Sequence, residues 1–218
     1  MRLLSRRQNS AGERVRIALN LKAIPYTYLP VGSLAPGEYL RLNPQGLLPA
    51  LDIGGQIIPQ SSAILDYLEE SHPLPALLPK DPLLRAQARG FAGLIASEMH
   101  SITVQRVRRF LQTDLELSSE KVQQWVLHWL TSGLKALEET LRDRHEHFAF
   151  CFSNEPGWAD LHLIPQLSNC AGSVVISRPT RNSWPSKRNA SSFLPSVWHA
   201  RKRSRISPAR SDPIPHPA

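Results

Sequence analysis

Apolar positions in the first seventy residues alternate between strand-like and helical spacing. After a proline-rich break they keep helical spacing only, and beyond Asn169 they keep neither. Residues 2–5 form a short apolar-rich stretch that predicts a strand. Asn9 and Ser10 then precede ERVRIALNLK, where Val15, Ala18, Leu19 and Lys22 sit at helical spacing. A small polar residue just ahead of such a run is an N-cap, and Pro25 requires the helix to stop before it. YTYLPV, aromatic and β-branched, predicts a strand. SLAPGEYLRLNPQG is rich in turn residues, with room for a short helix. LLPALDI and QIIPQS flank Gly54-Gly55, the pattern of two strands joined by a tight hairpin. Pro49 inside the first of these predicts an edge, a bulge or a cis bond. SSAILDYLEESH predicts a helix with Ile64, Leu65 and Leu68 on one face.

HPLPALLPKDP carries four prolines and predicts a linker over residues 73–82. Beyond it Leu84, Ala88, Phe91, Ile95, Met99 and Ile102 step by three or four, which predicts one long amphipathic helix. Val122, Trp125, Val126, Trp129, Leu137 and Leu141 predict a second, with the tryptophans in the core. PGWADLHLIPQL predicts a third, shorter helix with Asp160 in its first turn. The element order β-α-β-α-β-β-α followed by helices alone predicts an α/β domain over residues 1–72 and an all-α domain over 83–169.

Charge changes the picture at one place. The chain has 218 residues and a net charge of +8, but residues 1–168 hold 17 basic and 17 acidic side chains. The excess lies in residues 169–218, with nine basic residues against Asp212, and the same stretch holds seven of the 19 prolines. A neutral fold with a basic Pro/Ser-rich tail is expected, and residues 170–218 are expected to be disordered or the product of a shifted reading frame. Such a tail attracts nucleic acid non-specifically at most. Cys151 and Cys170 allow one disulfide and no zinc cluster, and low cysteine use fits a reducing compartment. No apolar run approaches 18 residues and no signal peptide is expected at the N-terminus, so a cytoplasmic location follows. His145-Glu146-His147 has i,i+2 spacing, which separates the two rings on a helix, and no metal site is expected.

Three places carry candidate chemistry. NSAGERVR puts small polar groups at a helix N-terminus, where backbone N–H groups and the dipole favour an anion such as a thiolate. LLPAL offers a strand disturbed at Pro49, which would leave the N–H and C=O of Leu48 for an extended peptide ligand. PQSSAI places Gln60 and Ser61 at another helix N-terminus, suited to a carboxylate. In this order, within a β-α-β-α-β-β-α unit, they resemble the glutathione transferases, and the zeta class in particular. The resemblance covers about residues 1–169 and rests on RVRIALNLKAIPYTYLPV, LNPQGLLPAL, IIPQSSAILDYLEE, LLPKDPLLRAQAR and WADLHLIPQLSN.

The resemblance implies a thioredoxin-like N-terminal domain, a helical C-terminal domain, a homodimer and glutathione as cofactor. The activity it implies is cis–trans isomerisation of a small diacid, maleylacetoacetate to fumarylacetoacetate, in aromatic amino-acid catabolism. Maleylpyruvate isomerisation or general glutathione transfer are the alternatives, and a glutathione-fold binding protein with little catalysis is the rival from another class. By position, Leu48 ahead of a cis Pro49 should bind the cysteinyl backbone of glutathione. Gln60 and Ser61 should hold its γ-glutamyl end, and His100 should line the site from the helical domain. Asn9, Ser10, Ala11, Gly12, Glu13 and Arg14 match the thiolate loop, with Ser10, Asn9 and Arg14 as its catalytic members. The chain departs from the class with Asn9 and Ala11 where Ser and Cys are usual. It also has Thr103 and Val104 in polar, often Asn-containing positions, and Gly172 in place of a carboxylate-binding Arg.

Overall fold

The computed structural model describes residues 1–174, with side chains through Asn169. Strand β1 (Arg2–Ser5) sits inside a four-stranded mixed sheet of order β2-β1-β3-β4. Parallel to it runs β2 (Thr27–Pro30), a pairing that needs a crossover, supplied by helix α1 (Ser10–Leu21). β3 (Ala50–Ile53) lies antiparallel to β1 on the other side, and β4 (Gln56–Pro59) folds back on β3. Gly54 and Gly55 take φ of 58° and 95°, a region other residues avoid, and the Gly55 N–H donates to Asp52 Oδ1 at 2.7 Å. Hence the hairpin turn is Gly-Gly. The Leu48–Pro49 bond is cis. It stands ahead of the ladder, so the expected strand LLPALDI shortens to Ala50–Ile53 and Pro49 interrupts no sheet hydrogen bond.

Over the sheet, Val15, Ala18 and Leu19 of α1 share one core with Ile64, Leu65 and Leu68 of α3 (Ser61–Ser71). The short helix expected after β2 is α2 (Glu38–Leu42), reached through a 3₁₀ turn at Val31–Ser33. Gly12 lets α1 close on the sheet. A Cβ there would stand 2.1 Å from Ser5 Oγ and 2.9 Å from Asn9 Oδ1.

The proline-rich connector is tied down. Lys22, at the C-terminus of α1, pairs with Glu69 of α3 at 2.8 Å and donates to the carbonyls of His72 and Pro75 at 2.6 and 2.9 Å. Glu69 in turn accepts from the N–H groups of Leu77 and Leu78, whose side chains are buried. Removing one partner of such a buried pair costs about 3–5 kcal/mol.

Beyond the connector the regular elements among the described residues are all helical: α4 (Pro82–Gly93), α5 (Ser101–Thr103), α6 (Gln105–Thr113), α7 (Ser119–Arg142) and α8 (Trp158–Val174). The single long helix expected through Ile102 is modified in two ways. Leu94–His100 is wound as a π-helix, so the buried stripe Ala88, Phe91, Ala92, Ile95, Met99 ends on Thr103 rather than Ile102. Val104, with φ −67° and ψ 160°, then breaks the helix before α6. Gly133 of α7 gives room to this segment, since a Cβ there would lie 2.4 Å from Met99 Cγ.

The two tryptophans of α7 are a second correction. Val122, Val126, Leu130, Leu137 and Leu141 form its buried stripe, whereas Trp125 is 36% exposed and meets Trp129 edge-on at 5.7 Å. Trp125 Nε1 donates to the Ile102 carbonyl at 2.9 Å, a group the break at Val104 leaves without a helical partner. Asp160 lies in the first turn of α8 as expected, accepting from the N–H groups of Gly157 and Cys151 at 2.9 and 3.1 Å. The Trp158 N–H reaches back to the Leu77 carbonyl of the connector at 2.7 Å. Helix α8 continues to Val174, past the boundary expected at Asn169. The rest of the basic tail lies outside the described residues.

Candidate functional site

Sheet register gathers the candidate residues at one edge. Leu4 of β1 faces Ala50 of β3, and Ala50 faces Pro59 of β4. The C-terminus of β1, the N-terminus of β3 and the C-terminus of β4 therefore lie side by side. The next residues are the loop to Asn9 and Ser10, the cis Leu48–Pro49 pair, and Gln60 with Ser61. Three segments distant in sequence meet because the strands they flank are paired. Leu48 lies outside the ladder, two residues ahead of β3.

At the N-terminus of α1, Asn9 has the extended conformation of an N-cap, and its Oδ1 accepts from the Gly12 N–H at 2.5 Å. Ser10, the first helical residue, is buried. Its Oγ accepts from Asn169 Nδ2 of α8 at 3.1 Å and lies 3.4 Å from His100 Nδ1. Ala11 and Gly12 are buried beneath it, while Glu13 is half-buried in the first turn, where its charge suits the helix dipole.

At the N-terminus of α3, Gln60 has φ 67° and ψ 119°, a conformation side chains adopt at a cost of about 1–3 kcal/mol. No side chain caps this helix, and Gln60 Nε2 donates instead to Gln45 Oε1 at 2.6 Å. Ser61 is buried, and its Oγ accepts from Arg14 Nη1 at 3.4 Å.

Arg14 lies between the two helix ends, 1% exposed. Its Nε and Nη2 have no partner, and no carboxylate pairs with it among the described residues. Burial lowers its pKa to about 10. Desolvation, then the Arg14 charge, pushes His100 down to about 4 against a hydrogen bond with Gln166 that raises it; Arg106 lowers it further. His162 falls to about 3, again by burial first and Arg14 second, while its Nδ1 contacts the Trp158 carbonyl at 2.8 Å. Both rings are neutral near pH 7. Thr103, at a position where the class carries polar residues, donates its hydroxyl to the Met99 carbonyl at 2.6 Å.

The sequence reading did not single out His162, Gln166 or Asn169 as site residues. They are spaced i, i+4, i+7 on α8, the helix that packs on α1. That polar stripe within an apolar helix is the signal that marks them. His145 and His147 lie in a loop, and no group of three or more metal-ligating side chains occurs among the described residues.

Two hydroxyls, a buried guanidinium with no carboxylate paired to it, and two helix N-termini make a donor set for anions. The orphaned N–H groups of Arg14 fit an anionic peptide such as glutathione, which carries carboxylates and an acidic thiol.

Known proteins resemble the chain over most of its length. A family model described as Glutathione S-transferase, N-terminal domain, matches residues 10–76. Maleylacetoacetate isomerase of Pseudomonas aeruginosa is 41% identical over 174 residues, covering 77% of this chain and 80% of that protein. Maleylpyruvate isomerase of a Ralstonia species is 36% identical over 174 residues, covering 78% and 82%. Among solved structures, a maleylacetoacetate isomerase from Methylobacterium extorquens AM1 with bound malonate and glutathione superposes with a TM-score of 0.76. It is 33% identical and covers 96% of this chain and all of that one. The holo structure of a bacterial zeta-class maleylpyruvate isomerase gives 0.79 at 30% identity, covering 94% and 93%.

Proposed function

Since the chain belongs to the zeta-class glutathione transferase family, we propose that it is a glutathione-dependent cis–trans isomerase converting maleylacetoacetate to fumarylacetoacetate. The observation that carries this reading is the buried Arg14, with two N–H groups unpartnered, set between the serine-bearing N-termini of α1 and α3. When bound, glutathione supplies a nucleophilic thiolate. Ser10, with the Asn9 amide beside it, donates toward the sulfur and favours its charged form. Leu48 offers its backbone groups to the cysteinyl unit, ahead of the ladder. Gln60 and Ser61 hold the γ-glutamyl carboxylate at the uncapped end of α3, with Arg14 behind them. His100 closes the site from the helical side and, being neutral, adds no charge there.

Ala11, Gly12 and Glu13 complete the loop in different ways. Ala11 and Gly12 keep the first turn of α1 close-packed, and the Gly12 N–H is engaged by the Asn9 cap. Glu13 anchors the turn through its N–H to the Asn9 carbonyl at 2.8 Å. The glutathione-binding unit is residues 1–72 and the helical unit residues 83–169, joined by residues 73–82. No helix among the described residues is long and apolar enough to cross a membrane. A cytoplasmic homodimer acting on a small diacid is the setting this reading carries. Maleylpyruvate is the second candidate substrate, favoured by the 36% identity to the Ralstonia isomerase.

The test is turnover by the purified chain, with both diacids offered in parallel and products separated by chromatography. Glutathione-dependent formation of fumarylacetoacetate is expected. Binding of glutathione without turnover of either diacid would assign the chain to the non-catalytic class.

A further inference from the structure

Two hydroxyls in the site share one arrangement. Ser10 and Ser61 are each the first residue of a helix, each is buried, and each accepts a hydrogen bond from a donor side chain, buried for Ser61 and exposed for Ser10. For Ser61 the donor is Arg14, on a neighbouring helix of the same half. For Ser10 it is Asn169, on α8 of the helical half. A serine hydroxyl has one proton and two acceptor lobes. A donor that fills one lobe leaves the hydroxyl proton for an acceptor elsewhere around the oxygen. At 3.1 Å the Asn169 contact is the shorter of the two that Ser10 makes, the other being 3.4 Å to His100 Nδ1.

We propose that Asn169 is a positioning residue for the thiol chemistry: its amide fills an acceptor lobe of Ser10 and so directs the Ser10 proton to the sulfur of bound glutathione. This rests on the isomerase reading above and extends it to a residue of the helical half. α8 places it there by spacing. His162, Gln166 and Asn169 lie along one stripe of the helix, which packs on α1, and the first two surround the Arg14–His100 neighbourhood while the third reaches the helix end. Activation of the cofactor therefore depends on how the two halves are docked. The charged and titratable groups acting on this neighbourhood are Arg14 from α1, His100 from the π-helical segment, Arg106 from α6 and His162 from α8.

The test is a double-mutant cycle on the full chain: wild type, Asn169→Ala, Ser10→Ala and the double variant. Thiolate absorbance of bound glutathione is titrated against pH, with binding followed by calorimetry. Asn169→Ala should raise the bound thiol pKa by about half a unit to one unit, the scale of one hydrogen bond. The same change in the Ser10→Ala background should add nothing. Asn169→Asp, nearly identical in volume, should raise the pKa further, because a carboxylate accepts the Ser10 proton and turns it from the sulfur. That variant carries the comparison if the alanine variant does not fold, as judged by circular dichroism. An unchanged titration in Asn169→Ala, or an equal rise with Ser10 absent, overturns the assignment while leaving the isomerase reading intact. Failure of the wild type to bind glutathione overturns both.

Discussion

The N-termini of α1 and α3 lie side by side at one sheet edge and are finished in opposite ways. At α1 a side chain caps the helix. Asn9 is extended and its side chain caps Gly12, so a ligand there must meet a side-chain hydroxyl. At α3 no side chain caps the helix, the preceding Gln60 sits at φ 67°, and the first-turn N–H groups await an acceptor. The uncapped end suits a fixed carboxylate, which contributes to binding whatever the reaction stage. The capped end suits a sulfur whose charge changes during the reaction, since one oriented hydroxyl follows that charge more selectively than an open helix end. On the proposed reading binding and activation are separated between two helices, with Arg14 between them.

That division requires ground between the helices with no charge but that of Arg14. His100 and His162 have native pKa values of about 4 and 3 against an ordinary 6.5. The unfolded chain therefore binds more protons in this window, and stability should fall as pH drops from about 6.5 toward 4, by a few kcal/mol in all. Asp160, whose carboxyl is raised by burial, acts with the opposite sign as it protonates. Thermal melts against pH should show the loss, and His162→Leu should flatten it. A melting temperature constant from pH 7 to 4.5 in the wild type would mean the rings accept protons in place.

Arg14→Met tests whether one cation serves both ends. Glutathione affinity should fall by about 2–3 kcal/mol, the range for a hydrogen bond to a charged group, while the melting temperature holds, because an unpaired buried charge leaves with the side chain. Equal loss of stability and affinity would make Arg14 a structural residue. Ser61→Ala sharpens the carboxylate assignment with a smaller effect, about 1–2 kcal/mol by calorimetry, and an unchanged affinity would move the γ-glutamyl end elsewhere. Smallest is the difference between Gln60→Gly and Gln60→Ala. Both remove the side chain and should weaken binding alike, but glycine also relieves the positive φ, so it should unfold about 1 kcal/mol less readily. Identical melts would show that the backbone there carries no strain.

What is legible in the sequence follows from the range of the interactions. The Asn9 cap, the Gly-Gly hairpin, the stripe of α3 and the cis bond at Pro49 are local, and each appears in the structure at the expected place. The π-helical turn at Leu94–His100 is not legible, because regular three- and four-residue steps accommodate either winding until Thr103 replaces Ile102 on the buried face. Trp125 reads as core by its spacing, yet the open carbonyl of Ile102 draws its indole to the edge. Ser10 and Ser61 can be picked out as first-turn residues, and Gln60 as the residue ahead of a helix. Asn169 cannot be linked to Ser10 from the chain alone, since the two are 159 positions apart and meet only through docking of α8 on α1.

The Lys22 knot has a mechanical consequence. One ammonium holds the carbonyls of His72 and Pro75 and the Glu69 carboxylate, Glu69 holds two connector N–H groups, and the Leu77 carbonyl holds the first N–H of α8. The connector is a splint, not a hinge. A displacement at the end of α3 is passed through these contacts to α8, so the two halves are coupled through the connector.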